Sequence, residues 1–96
     1  MNEIELRQHL CERGVPEHIH ESIIAYVMVG QPVGSFLTAV FENNLMEAFK
    51  CADDMNLDAM HNIVRFIYED VPSTCHGSPE KVKKWIEIGG VKGKVE

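Results

Sequence analysis

Asn56-Leu57-Asp58-Ala59-Met60-His61-Asn62-Ile63-Val64-Arg65-Phe66-Ile67-Tyr68-Glu69-Asp70 is the stretch that decides the fold class. Leu57, Met60, Ile63, Val64, Ile67 and Tyr68 recur at helical spacing and fall on one arc. Asp58, His61, Asn62, Arg65 and Glu69 fall on the opposite stripe. Asn56 is expected to cap this helix, because an Asn side chain can accept from the unpaired amides of a first turn. The helix is expected to run to about Asp70, with Pro72 ending it.

Working outward, glycine and proline cut the remaining chain into further short helices. Downstream, Ser78-Pro79-Glu80 starts a helix with a cap, a proline at the first position and an acid in the first turn. Its inner face is Val82, Trp85 and Ile86, and Gly89-Gly90 closes it. Upstream, Asn43 and Asn44 mark a stop and a restart, since Asn tolerates the left-handed region and also caps helices. Leu45, Ala48, Phe49 and Ala52 are expected on the buried side of the helix that restarts there, and Ser35 as the cap of the helix before it.

Nearer the N-terminus, a helix over about Glu3 to Arg13 is ended by Gly14, and Pro16 opens another that Gly30 stops. Ile19, Ser22, Ile23, Tyr26 and Val27 share one face of it. The expectation is all-α: a compact single-domain bundle of about five to six short helices. It spans residues 1–90, with 91–96 as a flexible C-terminal tail. Phe36, Val40, Phe49, Val64, Ile67 and Trp85 are the predicted core.

Composition agrees with a globular chain. Hydrophobic residues make up 45% and charged residues 25%, too apolar for disorder. Cys11, Cys51 and Cys75 are odd in number and far apart, which reads as reduced thiols in a cytoplasm. Met1-Asn2-Glu3-Ile4-Glu5 lacks the basic and apolar regions of a secretory leader. The longest apolar run, Ile23 to Val29, is far shorter than the ~20 residues that span a bilayer.

Little in the sequence suggests catalysis or a cofactor. His18 and His20 are two apart, so on a helix they diverge and cannot share a metal. No C-x-x-C occurs, and the cysteines are too scattered to complete a zinc set by spacing. Cys75 beside His76 could be a nucleophile and base, but adjacent residues in a loop rarely align for that role. No catalytic residue, no metal ligand and no cofactor is expected.

Charge is more informative. Residues 1–70 hold 12 acidic and 4 basic side chains, a balance of −8. Such a body disfavours sequence-independent DNA binding and favours a basic protein surface. Glu69 and Asp70 face the negative end of a helix dipole, and Asp53 and Asp54 end one helix where the next begins. These four, with Asn43 and Asn44 as neutral contacts, are the candidate partner-binding residues. An alternative apolar interface, through which the chain could dimerise, is Ile24 and Met28, which project away from the main face of their helix. A third reading, a small DNA-binding regulator, would rest on Lys81, Lys83 and Lys84.

Three stretches are distinctive: Pro32-Val33-Gly34-Ser35-Phe36-Leu37-Thr38-Ala39-Val40, Asn44-Leu45-Met46-Glu47-Ala48, and Ala52-Asp53-Asp54-Met55-Asn56. With Gly77-Ser78-Pro79-Glu80 and Trp85-Ile86, they resemble small open reading frames of proteobacterial phages and prophages, over roughly Val15 to Ile88. The resemblance implies an accessory protein of the host bacterial cytoplasm that binds a host protein complex stoichiometrically. Small acidic phage proteins of this size are similar to anti-CRISPR inhibitors, which occupy the surface of a CRISPR surveillance complex. In that reading the carboxylates would pair with Arg and Lys of a channel meant for nucleic acid.

Overall fold

Side-chain caps open four of the helices in the computed structural model, which describes residues 2–93. Helix α1 (Glu3–Glu12) opens on a reciprocal capping box: the Glu5 amide donates to Asn2 Oδ1 at 2.8 Å and the Asn2 amide to Glu5 Oε1 at 3.2 Å. After Gly14 and a 3-10 turn at Glu17–Ile19 comes α2 (His20–Val29), closed by Gly30 in the left-handed region. Helices α3 (Ser35–Phe41) and α4 (Leu45–Cys51) are separated by Asn43, whose φ is +63°, and by Asn44, which caps α4 through the Glu47 amide. Then follow α5 (Asp54–Asp58), α6 (Met60–Asp70), α7 (Pro79–Ile88) and α8 (Gly90–Gly93). Ser78 caps α7, as its sequence predicts. The fold is all-α: no strand occurs among the described residues, and six of the eight helices are seven residues or longer.

Two boundaries differ from the sequence reading. Gly34, not Ser35, occupies the cap position of α3, and Ser35 is the first helical residue. The long helix expected from Asn56 begins earlier and is broken. Asp53 caps α5 by accepting from the Asn56 amide at 2.7 Å, and Ala59 leaves helical geometry between α5 and α6. Asn56 is therefore buried inside α5 rather than capping it. Either acceptor could have served. Asp53 wins because a carboxylate also suits the positive end of the helix.

Tyr26 of α2 organises the core. Its hydroxyl donates to the Cys75 carbonyl at 2.6 Å, its own carbonyl accepts from Trp85 Nε1 at 2.9 Å, and its ring lies 4.3 Å from that of Phe41. One residue thus joins α2, α3, α7 and the loop before α7. The Gly77 amide adds a bond to the Phe41 carbonyl at 2.7 Å. Around this centre pack Leu6, Leu10, Ile23, Val27, Ile63 and Phe66, all buried.

Of the predicted core, Phe36, Ile67 and Trp85 are buried and Val40 is half-buried against it. Phe49 and Val64 are not core: they are 44% and 42% exposed. On α4 only Ala48 faces inward, and Leu45 faces solvent with Phe49. The short α4 is turned so that its small residue sits against α3. On α6 the buried set is Met60, Ile63, Phe66 and Ile67, with Val64 and Tyr68 outside. Relative to Met60, Ile67, Ile63 and Phe66 lie about 20°, 60° and 120° to one side, and Val64 and Tyr68 about 40° and 80° to the other. The apolar arc is wider than the contact that the core makes with it.

Ile24 and Met28 are likewise buried, at 5% and 6% exposure. The helix they lie on has neighbours on more than one side, with α1 and α8 both packed against it. Both are covered from within the fold and do not project as the sequence suggested. The segment 91–93, assigned to the tail from sequence, lies in α8. Residues 94–96 fall outside the described residues.

The approach of α8 to α2 is backbone on backbone. A Cβ on Gly90 would stand 2.7 Å from backbone atoms of Met28, Val29 and Gly30, and the residue's φ is +70°. Gly90→Ala should therefore lower the unfolding free energy by at least ~2 kcal/mol in urea titration, from left-handed strain together with the collision. Gly34→Ser should raise it by a few tenths of a kcal/mol, roughly, because it adds a capping oxygen in open space. In the same assay Phe66→Ala should cost about 3–5 kcal/mol, and Phe49→Ala less than ~1 kcal/mol.

Candidate functional site

The unburied half of α6 forms one wall of an open cavity of about 320 Å³. The exposed Val64 and Tyr68 line it, and Met60 and Ile67 of the buried set reach it from beneath the surface. Leu45 and Ala48 of α4 and Ala39 and Val40 of α3 complete the apolar lining. Asn43, Asn44, His76 and Gly77 supply its polar groups. Each wall follows from local sequence. The left-handed Asn43 turns the chain sharply enough to fold α4 back on α3. The Gly77–Phe41 bond brings the loop before α7 up to the end of α3.

His76 is half-buried, and its Nε2 has no hydrogen-bond partner among the described residues. Burial lowers its pKa from the ordinary 6.5, and the nearby Lys81 cation lowers it further. Cys75, its neighbour, is fully buried, and burial pushes its thiol up to about 12. A protonated, enclosed thiol is a weak nucleophile.

The residues singled out from sequence do not gather in one place. Asn43 and Asn44 line the cavity. Asp53 and Asp54 stand exposed at the start of α5. The Asn56 amide holds the Asp53 carboxyl below its usual range, and His18 adds to this through a 3.1 Å contact. Glu69 and Asp70 lie at the far end of α6, beyond a helix roughly 16 Å long.

There Arg13 binds both carboxylates at 2.8 Å, through Nη2 to Glu69 and through Nε to Asp70. Asp70 is only 11% exposed, so it pins the end of α1 to the end of α6 rather than facing a partner. This ion pair explains why two acids are tolerated at the negative end of a helix dipole.

His18 and His20 diverge as expected, one to Asp53 and the other to the Val15 carbonyl at 2.7 Å. Among the described residues no group of three His, Cys, Asp or Glu side chains is placed to hold a metal ion. No helix there is long and apolar enough to cross a membrane. Comparison of the chain with protein-family models, curated proteins and solved structures finds no match.

Leu45, Val64 and Tyr68 are the site residues that sequence reasoning missed. For Val64 and Tyr68 the signal is an apolar arc on α6 too wide for one contact, and for Leu45 it is an apolar side chain at the first position of α4, where the sequence places it with Ala48 on the buried side.

Because the folded protein disfavours a proton on His76, the unfolded chain takes that proton up first as pH falls below 6.5. This contribution to stability is therefore intact above 6.5 and is lost on acidification toward the lower folded value. His76→Gln should flatten the decline in unfolding free energy between about pH 7 and about pH 5, measured by urea titration at each pH. An unchanged slope would mean that His76 is solvated.

Proposed function

We propose that this protein works by binding a protein partner stoichiometrically through the cavity between α4 and α6, without catalysis or cofactor. One observation carries the reading. Of the nine large apolar side chains exposed among the described residues, seven come from the α4–α6 segment: Leu45, Met46, Phe49, Met55, Leu57, Val64 and Tyr68. The core is complete without them. Of the seven, Leu45, Val64 and Tyr68 line the cavity, and exposed apolar side chains that share one surface are what a contact site requires.

The phage-like motifs Asn44-Leu45-Met46-Glu47-Ala48 and Ala52-Asp53-Asp54-Met55-Asn56 lie in this same segment. The partner suggested by that resemblance is a host protein complex in the bacterial cytoplasm, and the specific form is an anti-CRISPR inhibitor on a surveillance complex. In this form the exposed Asp53 and Asp54 at the start of α5 meet basic residues of the partner while Leu45, Val64 and Tyr68 supply the dry centre. Glu69 and Asp70 are assigned to the fold instead.

The test is affinity capture of purified CRISPR surveillance complex by the wild-type chain and by variants. Val64→Asp should abolish capture while leaving the unfolding midpoint unchanged, since Val64 is already 42% exposed. Asp53→Asn with Asp54→Asn should weaken capture at low salt more than at high salt. Capture unaffected by Val64→Asp would refute the cavity as the docking site. Failure of the wild type to capture would refute the surveillance complex as the target.

A further inference from the structure

We infer that α5 is a strap with two seats. In the second seat it unwinds ahead of Leu57, Asn56 moves from its buried position to cap α6, and α6 runs unbroken from Leu57 to Asp70. The inference concerns the free chain and needs no partner.

α5 is docked inside out. Its only buried residue is Asn56, at 4% exposure, while Met55 and Leu57 on either side are 61% and 46% exposed. Every α-helix of seven residues or more buries at least one apolar side chain instead. Oδ1 of Asn56 is enclosed and has no hydrogen-bond partner among the described residues. An enclosed amide oxygen without a donor costs free energy, and an apolar side chain left in water forgoes the gain of burial.

The contacts that hold α5 in this seat are polar and local. The Asn56 amide donates to Asp53 Oδ1 at 2.7 Å, and the Leu57 amide to the Asp53 carbonyl at 2.8 Å. The Asp53 carboxylate meets His18 Nε2 at 3.1 Å on an exposed surface, where such a pair contributes little. A single turn of helix held in this way belongs to the low-stability end of a fold.

The interruption between α5 and α6 is one residue wide. The Ala59 amide donates to the Met55 carbonyl at 3.1 Å and the Ile63 amide to the Ala59 carbonyl at 2.9 Å, so helical bonding reaches Ala59 from both sides. Its φ of −100° and ψ of 11° stand about 40° and about 50° from α-helical values. α6 has no side-chain cap in this form. Once residues 57–59 join it, the Asn56 oxygen can accept from the Ala59 amide, and Asp58 stands in the first turn, where an acid is favourable. Residues 53–55 lengthen from about 1.5 Å to about 3.3 Å each as they unwind, which gives slack to the link from α4.

The exchange changes the apolar surface at Leu57. In an unbroken helix Leu57 lies about 60° from Met60, between Val64 at about 40° and Tyr68 at about 80° on the same side. It then extends the stripe of Val64 and Tyr68, which line the cavity, toward the start of the helix. The strap thus sets the length of that stripe, short in the present seat and long in the other.

The test compares the ¹³C,¹⁵N-labelled wild-type chain with variants, by Cα chemical shifts and native-state amide exchange. Asp53→Ala removes the cap of α5 alone. Its Cα shifts at Leu57, Asp58 and Ala59 should become more helical while those at Asp54 and Met55 lose helical character. Asn56→Val removes the enclosed oxygen and the second cap at similar helix propensity. It should slow exchange of the Leu57 and Ala59 amides at least ~5-fold. Asn56→Asp keeps a capping oxygen and places a charge in the buried seat, so it should move the Cα shifts in the same direction as Asp53→Ala.

Loss of helical shifts at residues 57–59 in Asp53→Ala would mean that α5 merely melts, and would overturn the second seat. Unchanged or faster exchange in Asn56→Val would mean that the buried amide stabilises α5 where it stands, and would overturn the strap. Cα shifts unmoved by Asn56→Asp would overturn it independently.

Discussion

The architecture depends on the two hydrogen bonds of Tyr26. Its hydroxyl and its carbonyl are both buried, and each would cost about 1–3 kcal/mol if left unpaired. The Cys75 carbonyl and the Trp85 indole satisfy them, and in doing so fix a loop and a helix that are distant in sequence. The ring then seats Phe41 at the end of α3. Because the Gly77 amide binds the Phe41 carbonyl, the α3 and His76–Gly77 parts of the cavity lining are placed by the same set of contacts. Positioning of the site is therefore a consequence of core formation and needs no separate device.

The second constraint is the shortness of the helices. A run of seven or ten residues has little helical stability of its own, so each depends on its caps and on the surface it buries. Asn2, Asn44, Asp53 and Ser78 cap their helices with side-chain oxygens. Gly30 and Gly89 end theirs in the left-handed region. At α8 the packing surface is backbone itself, with Gly90 against Gly30. Small helices fixed at their ends can meet at varied angles, and this leaves α6 covered on one flank only.

Most of the all-α character was legible in the sequence, because helix stops and caps are local chemistry. Gly14, Gly30, Ser78 and Gly89 act where their residue types predict. Burial was less legible, because it depends on which neighbour arrives. Phe49 and Val64 look like core by composition, yet the described residues leave them 44% and 42% exposed, whereas Phe66 was overlooked and lies at the centre. Ile24 and Met28 look like an unpartnered patch until α2 is seen packed on more than one side. Asp70 looked like a misplaced charge until Arg13 was found beside it, 57 residues away in sequence. A periodicity reports that an arc is apolar, and only the packing decides which part of the arc is the core and which part is left for a partner.

The central claim is that the apolar arc of α6 is divided, with Ile63 and Ile67 inside and Val64 outside. The most direct measurement is paramagnetic relaxation of methyl protons by a soluble gadolinium chelate, which falls off steeply with depth beneath the surface. The account predicts strong relaxation of the Val64 and Leu45 methyls and little at Ile63 and Ile67. Equal protection of Val64 and Ile63 in the isolated chain would contradict it, because the surface assigned to a partner would already be covered.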